Sequence, residues 1–92
     1  MKTLIIVDLT ILDKEKLAEY SALAAETLTP FSGQFIAKAP IEEIQGNSEF
    51  QVKAVIEFPD KESAKNWYHS EQYQAIIPLR EQAIRSQFHL VG

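Results

Sequence analysis

The apolar run from Thr3 to Leu9 is the feature that most constrains the fold of this 92-residue chain. It is rich in β-branched residues, and its polar and apolar side chains do not alternate. A run of this kind is typical of a strand that is covered on both faces. The sequence therefore predicts a strand in the middle of a sheet, with a packed layer on each side.

Helix and turn signals divide the rest of the chain. Asp13 and Asp60 each precede an amphipathic stretch and can cap the first turn of a helix. Pro30 ends the first helix, while Ser70 follows an interruption at His69 and caps a further helical stretch. The predicted elements are strands at 3–9, 34–39, 50–58 and 86–91 and helices at 14–28, 61–69 and 71–85.

This order of elements, β-α-β-β-α-β, predicts an α+β fold of the ferredoxin-like type. Such a fold has a four-stranded antiparallel sheet with two helices on one face. The chain length suits one small domain, and we assign residues 1–92 to a single ferredoxin-like domain.

The sheet face that the helices leave open is predicted to carry apolar side chains, among them Ile36, Val55 and Val91. Soluble monomers rarely expose a large contiguous apolar patch, so the sequence predicts a homodimer in which a second sheet covers this face. Polar side chains are predicted on the same face, namely Gln34, Lys38, Lys53, Glu57, Gln87 and His89. A cavity between two such sheets is expected to be wet or to bind a polar small molecule.

Composition argues against several classes of function. The formal net charge is −4 and the basic residues are scattered singly, a pattern that argues against nucleic-acid binding. The chain has no cysteine and two histidines, so we expect neither a metal site nor a cofactor. No segment reaches transmembrane length, and we expect a cytoplasmic protein with no membrane partner.

Arg80 is the most unusual residue of the predicted helices. At 100° per residue it lies near the centre of an apolar stripe, between Ile76 and Ile84. Arginine keeps its charge, so a buried arginine needs a carboxylate, backbone carbonyls or a bound anion. Two interpretations stay open: an ion pair with Glu57 or with a carboxylate of a second subunit, and a clamp for the carboxylate or phosphate of a ligand.

Glu57 and His89 are the candidate catalytic residues, because a carboxylate and an imidazole in a cavity between sheets can transfer protons. The alternatives are an ion pair of Glu57 with Lys53 on the same strand face and a hydrogen-bonded interface role for His89. The other candidate ligand-binding residues are Arg80, Lys53 and four aromatic residues: Tyr20, Trp67, Tyr68 and Tyr73. Each aromatic side chain has two interpretations, core packing and the rim of a ligand pocket.

The C-terminal half carries a recognisable pattern: Glu57-Phe58-Pro59, Trp67-Tyr68, Ser70-Glu71-Gln72-Tyr73-Gln74 and Arg80. It resembles short bacterial proteins of domain-of-unknown-function family 1330 (DUF1330), and Tyr20, Gly33 and Gly46 extend the resemblance along the chain. Ser32 and Gln45 depart from the pattern, in which a glycine and a glutamate are expected. The resemblance implies a dimeric α/β-barrel fold and no settled activity.

Three functions follow from these observations. The first is a homodimer that binds a small organic molecule in the cavity between the sheets. In one form of this hypothesis the molecule is an anion. The second is a cofactor-independent enzyme of monooxygenase or isomerase type, and the resemblance implies a wider group that includes cofactor-free monooxygenases. The third is a purely structural or interaction dimer.

Overall fold

The computed structural model of the protein describes residues 2–92. Its strands are β1 (Thr3–Ile11), β2 (Gln34–Pro40), β3 (Val52–Phe58) and β4 (Ile84–Val91). Its helices are α1 (Lys14–Leu28), α2 (Lys61–His69) and α3 (Glu71–Ala83), with a short 3₁₀ turn at Thr29–Phe31. The predicted α+β, ferredoxin-like fold is confirmed, and its second helical segment is the consecutive pair α2 and α3.

The four strands form one antiparallel sheet in the order β2-β3-β1-β4. β1 lies between β3 and β4, so the prediction of a central strand at Thr3–Leu9 is confirmed. On its helix face Ile5 and Val7 are buried, whereas Leu4 and Ile6 on the other face are half-buried. The helices therefore cover one face of β1, and the other face remains accessible in the single chain.

The core lies between the helix face of the sheet and the helices. α1 contributes the stripe that its spacing predicts, because Tyr20, Ala24 and Leu28 are all buried. The Asp13 carboxylate caps this helix by accepting a hydrogen bond from the backbone N–H of Lys16 at 3.0 Å. Burial of apolar surface here stabilises the fold by about 25 cal/mol per Å².

Helix α3 runs through Pro78 without interruption. The helical phase is therefore kept between Tyr73 and Arg80, and both side chains are buried. Arg80 is buried on the helix as predicted, but the predicted stripe is shorter than expected, because α3 ends at Ala83 and Ile84 begins β4.

The turn between α1 and β2 explains one departure from the family pattern. Ser32 has a left-handed backbone with φ of 58°, a conformation that glycine adopts without a steric penalty. At Gly33 the constraint is space, because a Cβ atom there would lie 2.6 Å from Cε2 of Phe58. Serine at position 32 therefore adopts a conformation that favours glycine, which accounts for the glycine expected there, whereas position 33 lacks room for a side chain.

A β-bulge in β2 corrects the predicted position of Lys38. The register shifts between Phe35 and Ala37, so that Ala37 pairs with Val55 and Lys38 with Ala54. Lys38 thereby turns to the helix side, where its Nζ donates a hydrogen bond to Ser21 Oγ at 3.0 Å. The expectation that Lys38 lies on the open face is wrong, because the bulge reverses the alternation of side chains.

The open face of the sheet combines apolar side chains with charged pairs. Leu4, Ile6 and Val55 are half-buried, and Val91 is 52% exposed. Between adjacent strands, Lys53 Nζ lies 3.2 Å from the Asp8 carboxylate. None of the helices in the described part of the chain has the length and apolar character that a membrane crossing needs.

Candidate functional site

A cleft opens between α2, α3 and β4 on the helix side of the sheet. Its volume is about 440 Å³, which is within the usual range for small-molecule sites. Its lining includes the side chains of Lys65, Tyr68, His69, Arg80, Phe88 and Leu90. We call it the Arg80 cleft, because Arg80 is the buried charged residue among them.

Arg80 reaches the cleft from the buried side of α3 and is 8% exposed. Its Nη1 donates hydrogen bonds to the hydroxyls of Tyr68, at 3.0 Å, and Tyr73, at 3.2 Å, and its Nη2 donates to Glu81 at 2.8 Å. Its Nε–H is buried and finds no hydrogen-bond partner among residues 2–92. Buried donors nearly always have a partner, so this one marks a place where an acceptor is missing.

Glu81 compensates the charge of Arg80 only weakly, because its side chain is 61% exposed and water screens such a pair. The guanidinium carbon lies 4.9 Å from the ring centre of Phe88 and 5.8 Å from that of Tyr68, so aromatic faces supply part of its stabilisation. Burial by itself lowers the pKa of Arg80, but the hydrogen bonds to Glu81, Tyr68 and Tyr73 outweigh it and raise that pKa above its usual value. The cleft therefore holds a permanent positive charge.

A chain of hydroxyl groups links Arg80 to α1, because the Tyr73 hydroxyl lies 2.6 Å from that of Tyr20. Burial raises the pKa of Tyr20 well above its usual value, and Tyr73 adds to this effect. Burial also raises the pKa of Tyr73, although its contacts with Tyr20 and Arg80 act in the opposite direction. Both phenols are therefore neutral at physiological pH and do not supply a negative charge for Arg80.

Tyr68 adds a second unused donor to the cleft. Its hydroxyl oxygen accepts a hydrogen bond from Arg80, so its own proton is available for another acceptor. In the described part of the chain no acceptor for this proton is present within hydrogen-bond distance. Tyr68 and Arg80 thus present donors that suit an anion, while Tyr20 and Tyr73 lie behind them as support.

Trp67 lies in the core beneath this network and is 1% exposed. Its Nε1 donates a hydrogen bond to Thr27 Oγ1 at 2.9 Å. Its ring centre lies 4.3 Å from that of Tyr73 and 5.5 Å from that of Phe58. Trp67 is not part of the lining of the Arg80 cleft, and these contacts favour its interpretation as a core residue.

Glu57 and Lys53 lie on the open face of β3, on the opposite side of the sheet from Arg80. The expectation of an ion pair between Arg80 and Glu57 is therefore wrong. Glu57 pairs with Lys2 at 3.3 Å instead. Lys53 pairs with Asp8 at 3.2 Å, so the alternative pair of Lys53 with Glu57 does not form either.

His89 lies on the open face of the edge strand β4, opposite Ile6 of β1, and as a residue of this edge strand it also borders the Arg80 cleft. Glu57 lies across β1 from it, opposite Leu4, so the central strand separates the two candidate proton-transfer residues. Within residues 2–92 no hydrogen bond joins His89 to Glu57 or to Asp8. The structure of the single chain therefore does not bring Glu57 and His89 together.

Two residues that contact Arg80, Phe88 and Glu81, were not among the candidates that the sequence indicated. Phe88 lies opposite Val7 on the helix face of β4, and its ring packs at 5.6 Å from that of Tyr68. The alternation along β4 placed Phe88 on the helix face, so a signal for this position was present. Glu81 carried no signal, because an exposed glutamate on a helix is most often a solvated surface residue.

Solved structures with the same fold share little sequence with this chain. A protein of unknown function from Rhodopseudomonas palustris is 12% identical, with a TM-score of 0.80 over 98% of this chain and 80% of its own. A dimeric ferredoxin-like protein of unknown function from Jannaschia sp. CCS1 is 14% identical, with a TM-score of 0.77 over 100% and 99%. SnoaB, a cofactor-independent oxygenase from Streptomyces nogalater, is 10% identical, with a TM-score of 0.73 over 99% and 91%.

At these identities the similarity establishes the fold and leaves the activity open. Among curated protein sequences no match is found. The family model of DUF1330, described as a domain of unknown function, matches residues 2–92. This match covers nearly the whole chain, including Trp67, Tyr68, Tyr73 and Arg80, on which the sequence resemblance rests. The chain therefore belongs to the DUF1330 family.

Proposed function

We propose that this protein binds a small organic anion in the Arg80 cleft. The observation that carries the proposal is the buried Nε–H of Arg80, which has no partner in residues 2–92 although Arg80 lines an open cleft of about 440 Å³. The carboxylate partner of this buried guanidinium is largely exposed, so the buried charge is poorly compensated. An anion that replaces the water beside the guanidinium would lower the free-energy cost of burying that charge. The proposed site lies on the helix side of the sheet, away from the cavity between sheets that the sequence suggests.

The shape of the guanidinium group specifies the kind of anion. Nε and Nη2 lie on one edge of its plane, and a carboxylate can accept two parallel hydrogen bonds from that edge. Glu81 at present accepts from Nη2 and, being exposed, can move toward solvent when a ligand arrives. The hydroxyl of Tyr68 can donate to the same carboxylate, while Phe88 offers an apolar surface to the rest of the ligand.

We further propose that the open face of the sheet is the contact surface of a homodimer. Its apolar side chains are Leu4, Ile6, Val55 and Val91. Four of the charges beside them are already paired, Lys53 with Asp8 and Lys2 with Glu57, which lowers the cost of burying them under a second copy. The dimeric neighbour from Jannaschia supports a second copy of the chain as the occupant of this face.

Native mass spectrometry with added benzoate tests the ligand and the dimer in one measurement. We expect a dimer that carries up to one benzoate per subunit. Benzylamine, which has the same ring and the opposite charge, is the control and is expected not to bind. A monomer would contradict the proposed dimer. A dimer that takes up benzylamine as readily as benzoate, or that takes up neither, would contradict the anion site.

A further inference from the structure

Phe88 stands between two cavities. Its ring lines the Arg80 cleft and also lines a second, smaller cavity of about 30 Å³ between α1 and the sheet. We call this second cavity the inner pocket; its lining includes Leu9, Leu17, Ala24, Ile56 and Ile84. No other residue of the described chain lines both cavities, so Phe88 is the wall that separates them.

The inner pocket suits an apolar group. Most of its lining is aliphatic or aromatic, and the polar exceptions are Tyr20, Ser21 and Lys38. The Tyr20 hydroxyl is occupied by Tyr73, and Lys38 donates to Ser21, so little capacity remains to bind a trapped water. A hydrocarbon tail would gain about 0.8 kcal/mol for each methylene that it buries there, which is about fourfold in affinity.

We propose that Phe88 determines specificity by limiting how far the tail of the bound anion extends beyond the Arg80 cleft. The inference rests on the proposed function. The head group and the wall are adjacent, because the guanidinium carbon of Arg80 lies 4.9 Å from the centre of the Phe88 ring. A carboxylate on Nε therefore lies beside this ring, and its tail meets Phe88 before it can enter the inner pocket. The ligand class is a carboxylate with a short chain or a single ring.

A chain-length series tests this inference. Calorimetric affinities of acetate, butyrate, hexanoate and octanoate are compared for the wild type, Phe88→Ala and Leu90→Ala. In the wild type we expect the affinity for the carboxylate to increase with chain length only for the short members of the series. In Phe88→Ala it is expected to continue rising by about fourfold per methylene until the joined cavities are filled. Leu90 lines the Arg80 cleft and not the inner pocket, so Leu90→Ala is the matched control and keeps the short limit.

Phe88→Leu is the second variant, because it keeps an apolar side chain on β4 and is expected to fold if the alanine variant does not. It should extend the limit by less than Phe88→Ala. An identical chain-length limit in the wild type and a folded Phe88 variant would overturn the inference, and so would an equal extension in Leu90→Ala. If no carboxylate binds to any of the proteins, the proposed anion site itself fails, which distinguishes that failure from a misassigned role of Phe88.

Discussion

Replacing Trp67 with alanine is expected to lower the free energy of unfolding by about 3–5 kcal/mol. The indole is 1% exposed, and it packs against the rings of Phe58 and Tyr73. Its removal leaves a cavity beneath the Arg80 network and also deprives Thr27 of a hydrogen-bond donor. Because a small domain has about 5–15 kcal/mol of total stability, a loss of this size would remove a large share of it.

Urea unfolding followed by far-ultraviolet circular dichroism measures this change without depending on tryptophan fluorescence. Trp67→Phe is the matched control, since it keeps an aromatic ring and loses the N–H that Thr27 accepts. We expect the phenylalanine variant to lose less stability than the alanine variant. A loss below about 1 kcal/mol for Trp67→Ala would contradict its assignment to the core.

Replacing Arg80 with methionine is expected to weaken benzoate binding by about 100-fold. The loss corresponds to about 3 kcal/mol, the scale of the charge-assisted hydrogen bonds that Nε and Nη2 offer a carboxylate. Methionine is close in length and brings no charge into the core. The substitution is therefore expected to leave the free energy of unfolding unchanged within about 1 kcal/mol, or to raise it, because an incompletely paired buried charge is removed.

Isothermal titration calorimetry with benzoate, combined with urea unfolding, checks both parts of this prediction. Arg85→Met is the matched control, because Arg85 is exposed on β4 and lies outside the cleft. Arg80→Lys keeps the charge without the planar fork and is expected to give intermediate affinity. The opposite pattern, a stability loss of about 3–5 kcal/mol with benzoate binding unchanged, would identify Arg80 as part of a structural ion pair.

The sequence could predict those features that depend on a local pattern. The unbroken apolar run at Thr3–Leu9 predicted the central strand, because only a strand covered on one face needs polar alternation. The spacing from Tyr73 to Arg80 predicted a buried arginine, because helical phase passes through Pro78 unchanged. Both predictions hold without knowledge of the neighbouring elements.

The partners of Arg80 could not be predicted, because they depend on how the helices pack onto the sheet. Glu57 was a reasonable partner by charge, yet β3 directs it to the face away from α3. Phe88 and Tyr68 meet Arg80 only because β4 and α2 border the same cleft. The bulge that turns the Lys38 side chain to the helix face has no sequence signal either. Position 36 is an isoleucine, whereas a glycine or proline there would have indicated a bulge.

The most direct test of the anion site is an NMR titration that observes the Nε–H groups of arginine side chains. The chain has two arginines, Arg80 and Arg85, so each resonance can be assigned by its absence from the corresponding methionine variant. If the unpartnered Nε–H of Arg80 receives a carboxylate, added benzoate will shift the Arg80 resonance downfield and leave that of Arg85 unchanged. An Arg80 resonance that does not respond to benzoate, or that shifts only as much as that of Arg85, would contradict the proposed site.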